Sequence, residues 1–236
     1  AGGVATGSFF IKKGFSLGRA YEAKPVGGAV LPVLLAALLV IGIATGVYAA
    51  STEGPGSKHA PIILSLVVAL IIGALAQKSR MCFAGSIRDL ILMKNFDLIS
   101  IIAALFAVMA VYNAATGSFH LGFSGQPIAH SQHLWNILGM YVVGFAAVLA
   151  GGCPLRQLIL AGQGSSDSAV TFLGMLLGAA FAHNFGLVGA AAKAATETEP
   201  AVAGGPAAAG KIAVIVCIIV LFVIAGTNLR RKKTAK

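Results

Sequence analysis

The chain has 236 residues, of which 58% are hydrophobic and only 10% charged, and its formal net charge is +10 at pH 7. A soluble domain typically carries about 25% charged residues, so this composition excludes an ordinary soluble fold. Disordered chains are polar and poor in apolar side chains, so intrinsic disorder is excluded as well. The remaining class is an all-α polytopic membrane protein.

The first segment, residues 1–26, is predicted to hold the end of a preceding apolar span and a cytoplasmic linker. It begins "AGGVATGSFF", with no initiator Met and none of the charged n-region or cleavage site of a signal peptide. We therefore expect the chain to be the C-terminal part of a longer protein. Proteolytic cleavage is the alternative.

Long stretches without Asp, Glu, Lys or Arg follow, and a helix needs roughly 20 apolar residues to cross the hydrocarbon core. The stretch between Asp97 and Arg156 is long enough for two crossings, with a polar break at 120–133. Within a transmembrane domain over 27–228, the sequence predicts six spans, at about 27–50, 60–77, 98–115, 134–152, 168–190 and 211–228.

The distribution of Lys and Arg predicts the orientation of these spans, because positive residues are retained in cytoplasmic loops. They cluster before the first span, between the second and third, and in the basic tail at 229–236. We expect the cytoplasmic membrane of a bacterium or archaeon, with a cytoplasmic C-terminus whose tail touches lipid head groups. No nucleic-acid partner is expected, because base-stacking aromatics on a soluble basic surface are missing.

Two short motifs interrupt the apolar pattern, "MCFAGSIRDLIL" from Met81 and "GGCPLRQLIL" from Gly151. Each places a cysteine ahead of an arginine and an apolar run too short to cross a bilayer. The sequence predicts short re-entrant or interfacial helices at about 82–93 and 153–162, related by an internal repeat. A chance likeness of two amphipathic loops is the alternative, because the cysteine precedes its arginine by six residues in one motif and by three in the other.

The second motif has features of an anion site. Gly152 and the glycine before it let the backbone turn, and Pro154 is favoured at the first position of a helix. Cys153 then lies beside a helix N-terminus, where unpaired N–H groups and the positive end of the helix dipole attract anions. Arg156, about one turn later, adds a fixed positive charge.

In the first motif, Ser86 and Asp89 fall on the same helical face as Cys82. Arg88 and Asp89 are candidates for supporting charge, because charges near the membrane are functional candidates by default, although a structural ion pair is the alternative. Plain packing is the alternative role for both motif cysteines and the expected role of Cys217.

No metal or cofactor is expected. His120, His130 and His133 share one loop, but their spacing suits zinc poorly and no thiol or carboxylate joins them. The chain also lacks nucleotide-binding, haem-attachment and Ser-His-Asp patterns, so an ATP-driven pump is not expected.

The stretches "QKSRMCFAGSIRDLIL" and "VLAGGCPLRQLILAGQG" resemble the cysteine motifs of the YeeE/YedE family of membrane proteins, which handle sulfur-containing anions. Together with "FFIKKGFSLGRAYEAKP" they resemble its YedE branch, whose members are associated with selenium metabolism and proposed as selenium transporters. The resemblance implies short inserted helices that meet at a central constriction, with Cys82 and Cys153 along the path of the solute. Members of this branch are longer, with further cysteine motifs in an N-terminal half.

The residues and the resemblance together predict a permease, not an enzyme, that passes a small sulfur- or selenium-containing anion along a path of thiols and short-helix N-termini. The expected path residues are Cys82, Ser86, Gly152, Cys153 and Arg156. A soluble cytoplasmic sulfur- or selenium-carrier protein is a candidate partner. The alternatives are a membrane thiol oxidoreductase or sulfur/selenium transferase with a cysteine nucleophile, and a purely structural subunit.

Overall fold

A computed structural model describes residues 1–17, 25–46, 60–119, 122, 130, 132–189 and 204–229. Part of the predicted linker, His120 and the basic tail from Arg230 onward lie outside the described residues. Within the described part the fold is helical, and an isolated β-bridge pairs Phe15 with Leu229. The predicted all-α class is confirmed.

The helices vary in length with the apolar pattern of the sequence. In chain order they are α1 (Gly2–Lys12), α2 (Pro25–Thr45), α3 (Ile62–Lys78), α4 (Phe83–Met93), α5 (Asp97–Ala115), α6 (His133–Leu149), α7 (Pro154–Gly162), α8 (Ser166–Asn184) and α9 (Ala208–Thr227).

Five segments among the described residues are long and apolar enough to cross a membrane, which makes this a multi-pass membrane protein. They are Val26–Thr45, Ile62–Met93, Asp97–Ala115, His133–Gly162 and Ala208–Thr227. Helix α8 occupies most of the fifth predicted span at 168–190 but is not among the five segments, because polar residues at both of its ends lower its mean hydropathy. The span at 168–190 stays a prediction.

The chain divides into two compact units. The first comprises Ala1–Gly18, Cys82–Cys153 and Gly174–Lys236, and the second comprises Arg19–Met81 and Pro154–Leu173. The centre of the first unit is Phe145, which is fully buried between α1, α6 and α9. The ring of Phe145 lies 5.1 Å from that of Phe222 and 5.9 Å from that of Phe10, centroid to centroid. Such ring pairs stabilise a core beyond the area that they bury.

Glycines allow α1 to approach α6 closely. A Cβ atom at Gly7 would lie 2.7 Å from the Cβ of Val148, and one at Gly3 would collide with the carbonyl oxygen of Tyr141. Because lipid tails are as apolar as the side chains, helices in a membrane associate through such close packing rather than through the hydrophobic effect. The position of α1 therefore depends on small residues at this contact.

The second unit has its own close approach, between α2 and the end of α7. A Cβ atom at Gly164 would lie 3.2 Å from the backbone of Gly28, and Gly164 has a φ of +91°, which glycine adopts readily. Only 6% of the apolar stretch within Val26–Thr45, which forms most of α2, is buried inside the protein. This exposed apolar surface fits a helix that faces lipid.

Replacing Gly7 with Leu should destabilise the protein by about 1–3 kcal/mol, because the added side chain overpacks the contact of α1 with Val148. Thermal unfolding in detergent would show this as a lower midpoint. The control is Gly139→Leu, since a Cβ atom at Gly139 meets nothing within 4 Å and both glycines lie in helices. Equal midpoints for the two variants would contradict the packing described for α1.

Candidate functional site

Cys82 caps the N-terminus of α4. Its backbone is extended, with φ −153° and ψ 113°, and its Sγ accepts a hydrogen bond of 3.2 Å from the backbone N–H of Gly85. The first N–H groups of a helix lack partners within the helix, and a capping side chain supplies one. A Cβ atom at Gly85 would lie only 3.0 Å from this sulfur, so the absence of a side chain there leaves room for the thiol.

The structure brings the two motif cysteines together. The backbone N–H of Cys153, 71 residues later in the chain, donates a hydrogen bond of 3.3 Å to the Sγ of Cys82. Both residues are buried, with 7% of Cys82 and 4% of Cys153 exposed. One sulfur thus receives two backbone N–H groups, one from each motif.

The end of α6 explains how Cys153 reaches this position. The helix ends at Leu149, and Gly151 takes a φ of +80°, a left-handed conformation that favours glycine. Gly152 is buried beside Cys153. The predicted break in the chain is therefore a sharp turn that delivers the cysteine just before the start of α7.

Ser86 lies one turn into α4 and is fully buried. Its hydroxyl donates a hydrogen bond of 2.8 Å to the carbonyl oxygen of Phe83, while its backbone N–H donates to the carbonyl oxygen of Cys82. Ser86 therefore lies on the interior face of α4, next to the cap.

Arg88 and Asp89 form an ion pair with 2.8 Å between Nε and Oδ1. Their side chains are 28% and 15% exposed, so the pair is half-buried at one side of α4. The carboxylate cancels the positive charge of Arg88 locally.

Arg156 belongs to the second unit, where it has a neutral partner. Its Nη1 donates a hydrogen bond of 3.0 Å to Oε1 of Gln77, near the end of α3. Gln77 was not among the predicted site residues. In the sequence it is an uncharged polar residue at the end of an apolar span, and it opens the stretch "QKSRMCFAGSIRDLIL".

Two further features lie apart from the cysteine pair. Cys217 is exposed on α9, so the prediction that it fills space in the interior is wrong. A cavity of about 350 Å³ lies between the starts of α1 and α6, lined by residues such as Met140 and Tyr141, and holds none of the predicted site residues. Within the described ranges, no group of three or more His, Cys, Asp or Glu side chains could hold a metal ion.

Comparison with known proteins points to a transport family. A family model described as "Sulphur transport" matches residues 78–236, a range that includes both cysteine motifs. The thiosulfate transporter TsuA of Spirochaeta thermophila is 30% identical over 115 residues, which are 47% of this chain and 33% of that protein. The thiosulfate transporter TsuA of Escherichia coli is 29% identical over 108 residues, 44% of this chain and 29% of that protein.

The chain therefore matches about a third of the length of these curated relatives. No solved structure matches it.

The cap formed by Cys82 can be tested by two substitutions. Cys82→Ala should cost about 1 kcal/mol or more, because it removes the acceptor for two buried N–H groups, whereas Cys82→Ser retains an acceptor at the cap. Thermal unfolding in detergent should therefore rank Ser above Ala. Cys217→Ala is the control, since this cysteine is exposed, and should leave the midpoint unchanged. A Cys82→Ala protein as stable as Cys82→Ser would contradict the capping role.

Proposed function

Since the chain belongs to the Sulphur transport family, as its motifs predicted, we propose that it forms part of a permease for a small sulfur- or selenium-containing anion. The observation that carries this proposal is the buried contact between Cys82 and Cys153. The relatives named thiosulfate transporters support the choice of a sulfur anion.

The chemistry of the cysteine pair suits passage better than retention. A thiol is a weak S–H donor and a soft, polarizable atom, so its contact with the sulfur or selenium of an anion is favourable and brief. Conduction requires this balance, because a solute must be admitted and then released. We assign the path to Cys82 and Cys153, with Ser86 and Gly152 beside them.

The backbone around the pair also favours an anion. Cys82 precedes α4 and Cys153 precedes α7, so each lies at a helix start, the end of a helix where N–H groups attract negative charge. In this proposal Arg156 adds an attractive positive charge, whereas Arg88 and Asp89 hold α4 in place as a neutral pair.

Two observations bear on which anion is transported. The linker "FFIKKGFSLGRAYEAKP" favours the selenium-associated branch, while the relatives described above carry the name of thiosulfate. We propose that both kinds of anion compete for the same path. A soluble cytoplasmic sulfur- or selenium-carrier protein is the proposed acceptor of the solute.

A second function has one observation in its favour. A membrane thiol oxidoreductase or a sulfur/selenium transferase needs a second cysteine within reach of the first, and the Cys82–Cys153 contact supplies it. The burial of both thiols opposes this function, because a partner protein would have to reach them. A mixed disulfide trapped between either cysteine and a soluble protein would favour the enzyme.

Serine at Cys82 and Cys153 together should reduce the uptake of radiolabelled thiosulfate and selenite to background. Serine keeps the capping acceptor but lacks the soft sulfur atom. The measurement compares cells that express the protein and its variants at equal membrane abundance. Cys217→Ser is the matched control, since this cysteine lies apart on α9, and should transport normally. Uptake that persists in the double variant would exclude a thiol-lined path.

The C-terminus is proposed to lie in the cytoplasm of a bacterium or archaeon, because positive residues concentrate on that side of the predicted spans. A green fluorescent protein fused after Lys236 should therefore be fluorescent, and alkaline phosphatase fused there should be inactive. A dark fluorescent-protein fusion together with an active phosphatase fusion would show that the C-terminus lies outside the cytoplasm.

A further inference from the structure

The guanidinium group of Arg156 is held by an amide rather than by a carboxylate. Its Nη1 donates to Oε1 of Gln77 at 3.0 Å, and both residues are half-buried. Among the described residues the one ion pair is that of Arg88 with Asp89, so no described carboxylate neutralises Arg156. Arginine keeps its proton in proteins, and the positive charge therefore remains.

A charge that is partly removed from water is normally paired, so a half-buried arginine whose described partner is neutral is a functional candidate. Gln77 satisfies one donor and fixes the direction of the side chain, but it contributes no negative charge. The guanidinium has five N–H donors in a fork that matches the oxygens of an oxyanion, and a single bond to Gln77 occupies one of them.

The two cysteine motifs differ at the residue that follows the arginine and could neutralise its positive charge. Arg88 is followed by Asp89, with which it pairs, whereas Arg156 is followed by the neutral Gln157. The repeated arginine is therefore neutralised in the first motif and left cationic in the second. A plain structural role would be served equally well by an ion pair at both places.

We propose that Gln77 is a positioning residue that keeps Arg156 oriented and uncompensated, so that the Arg156–Gln77 pair binds an oxyanion of the thiosulfate class. This inference rests on the proposed function, because it names the charge that binds the transported anion.

The substitution Gln77→Glu separates position from charge. Glutamate has nearly the shape of glutamine, but it would pair with Arg156 and cancel its charge. Gln77→Met keeps the length and the neutrality and removes only the hydrogen bond. We expect thiosulfate affinity about 10- to 100-fold lower for Gln77→Glu, which corresponds to the loss of hydrogen bonds to a charged group. Gln77→Met should lose less, because Arg156 keeps its charge.

Binding is measured on the purified protein in detergent, as the rise in unfolding midpoint with sodium thiosulfate compared with sodium chloride at equal ionic strength. A ligand that binds the folded state raises its stability with concentration, so the affinities of the variants can be compared directly. Arg156→Gln should lose the same response as Gln77→Glu. The double variant should bind no better than Arg156→Gln alone, because its added carboxylate has no positive charge to pair with and repels the anion.

The same variants are tested for uptake in cells. If Gln77 acts through the binding of the anion, Gln77→Glu should raise KM for thiosulfate while the maximal rate changes little. A purely structural defect would instead lower the amount of folded protein and the maximal rate.

A Gln77→Glu protein that binds thiosulfate as tightly as the wild type would overturn the inference. So would a wild-type protein that thiosulfate stabilises no more than chloride does, whatever its uptake. A third outcome separates the two proposals: the wild-type protein binds thiosulfate, Gln77→Glu abolishes this binding, and cells show no uptake of the anion. That outcome would support the inference and contradict the permease. If Gln77→Glu does not fold, Gln77→Met decides, and unchanged binding in that variant would exclude the positioning role.

Discussion

The double hydrogen bond to the sulfur of Cys82 is the interaction on which the arrangement of the candidate site depends. Backbone N–H groups in an apolar surrounding must find acceptors, and irregular backbone at membrane depth is tolerated only where it is buried in protein or lines a cavity. The sulfur of Cys82 accepts from the backbone N–H of Gly85 at the start of α4 and from that of Cys153, which lies in the turn between α6 and α7. The same atom therefore supports the backbone and, in the proposed permease, offers soft chemistry to the anion.

The two arginines show how one repeated pattern is used in two ways. Arg88 is neutralised by its neighbour Asp89, so the first short helix has no net charge at this point. Arg156 is held by the neutral Gln77 and retains its charge. Thiols give weak and reversible contacts, whereas a guanidinium that no carboxylate among the described residues neutralises attracts an anion over a longer range. A permease for small anions needs both kinds of interaction, since attraction without easy release would trap the solute.

The membrane class and most of the helices could be predicted from the sequence, because hydropathy alone controls whether a segment partitions into lipid. The two breaks were also predictable, since glycine and charge coincide around Cys82, and glycine, proline and charge around Cys153. Their contact did not follow from the repeat, because a repeat indicates likeness between two segments and carries no information on whether they touch. Only the resemblance to a known family implied that the two short helices meet. Gln77 was missed for another reason: it opens the stretch that carries the first cysteine motif, but no residue pattern links it to Arg156, and only its 3.0 Å distance to Arg156 reveals a role.

The most direct test of the account is whether Cys82 and Cys153 can be joined. In a Cys217→Ser background, membranes are treated with copper phenanthroline, denatured, and labelled with a maleimide that counts the remaining thiols. The account predicts that both thiols disappear together within a single chain and return after reduction, because the backbone N–H of Cys153 lies within 3.3 Å of the sulfur of Cys82. Two thiols that stay open to maleimide after oxidation would contradict the contact, and with it the thiol path.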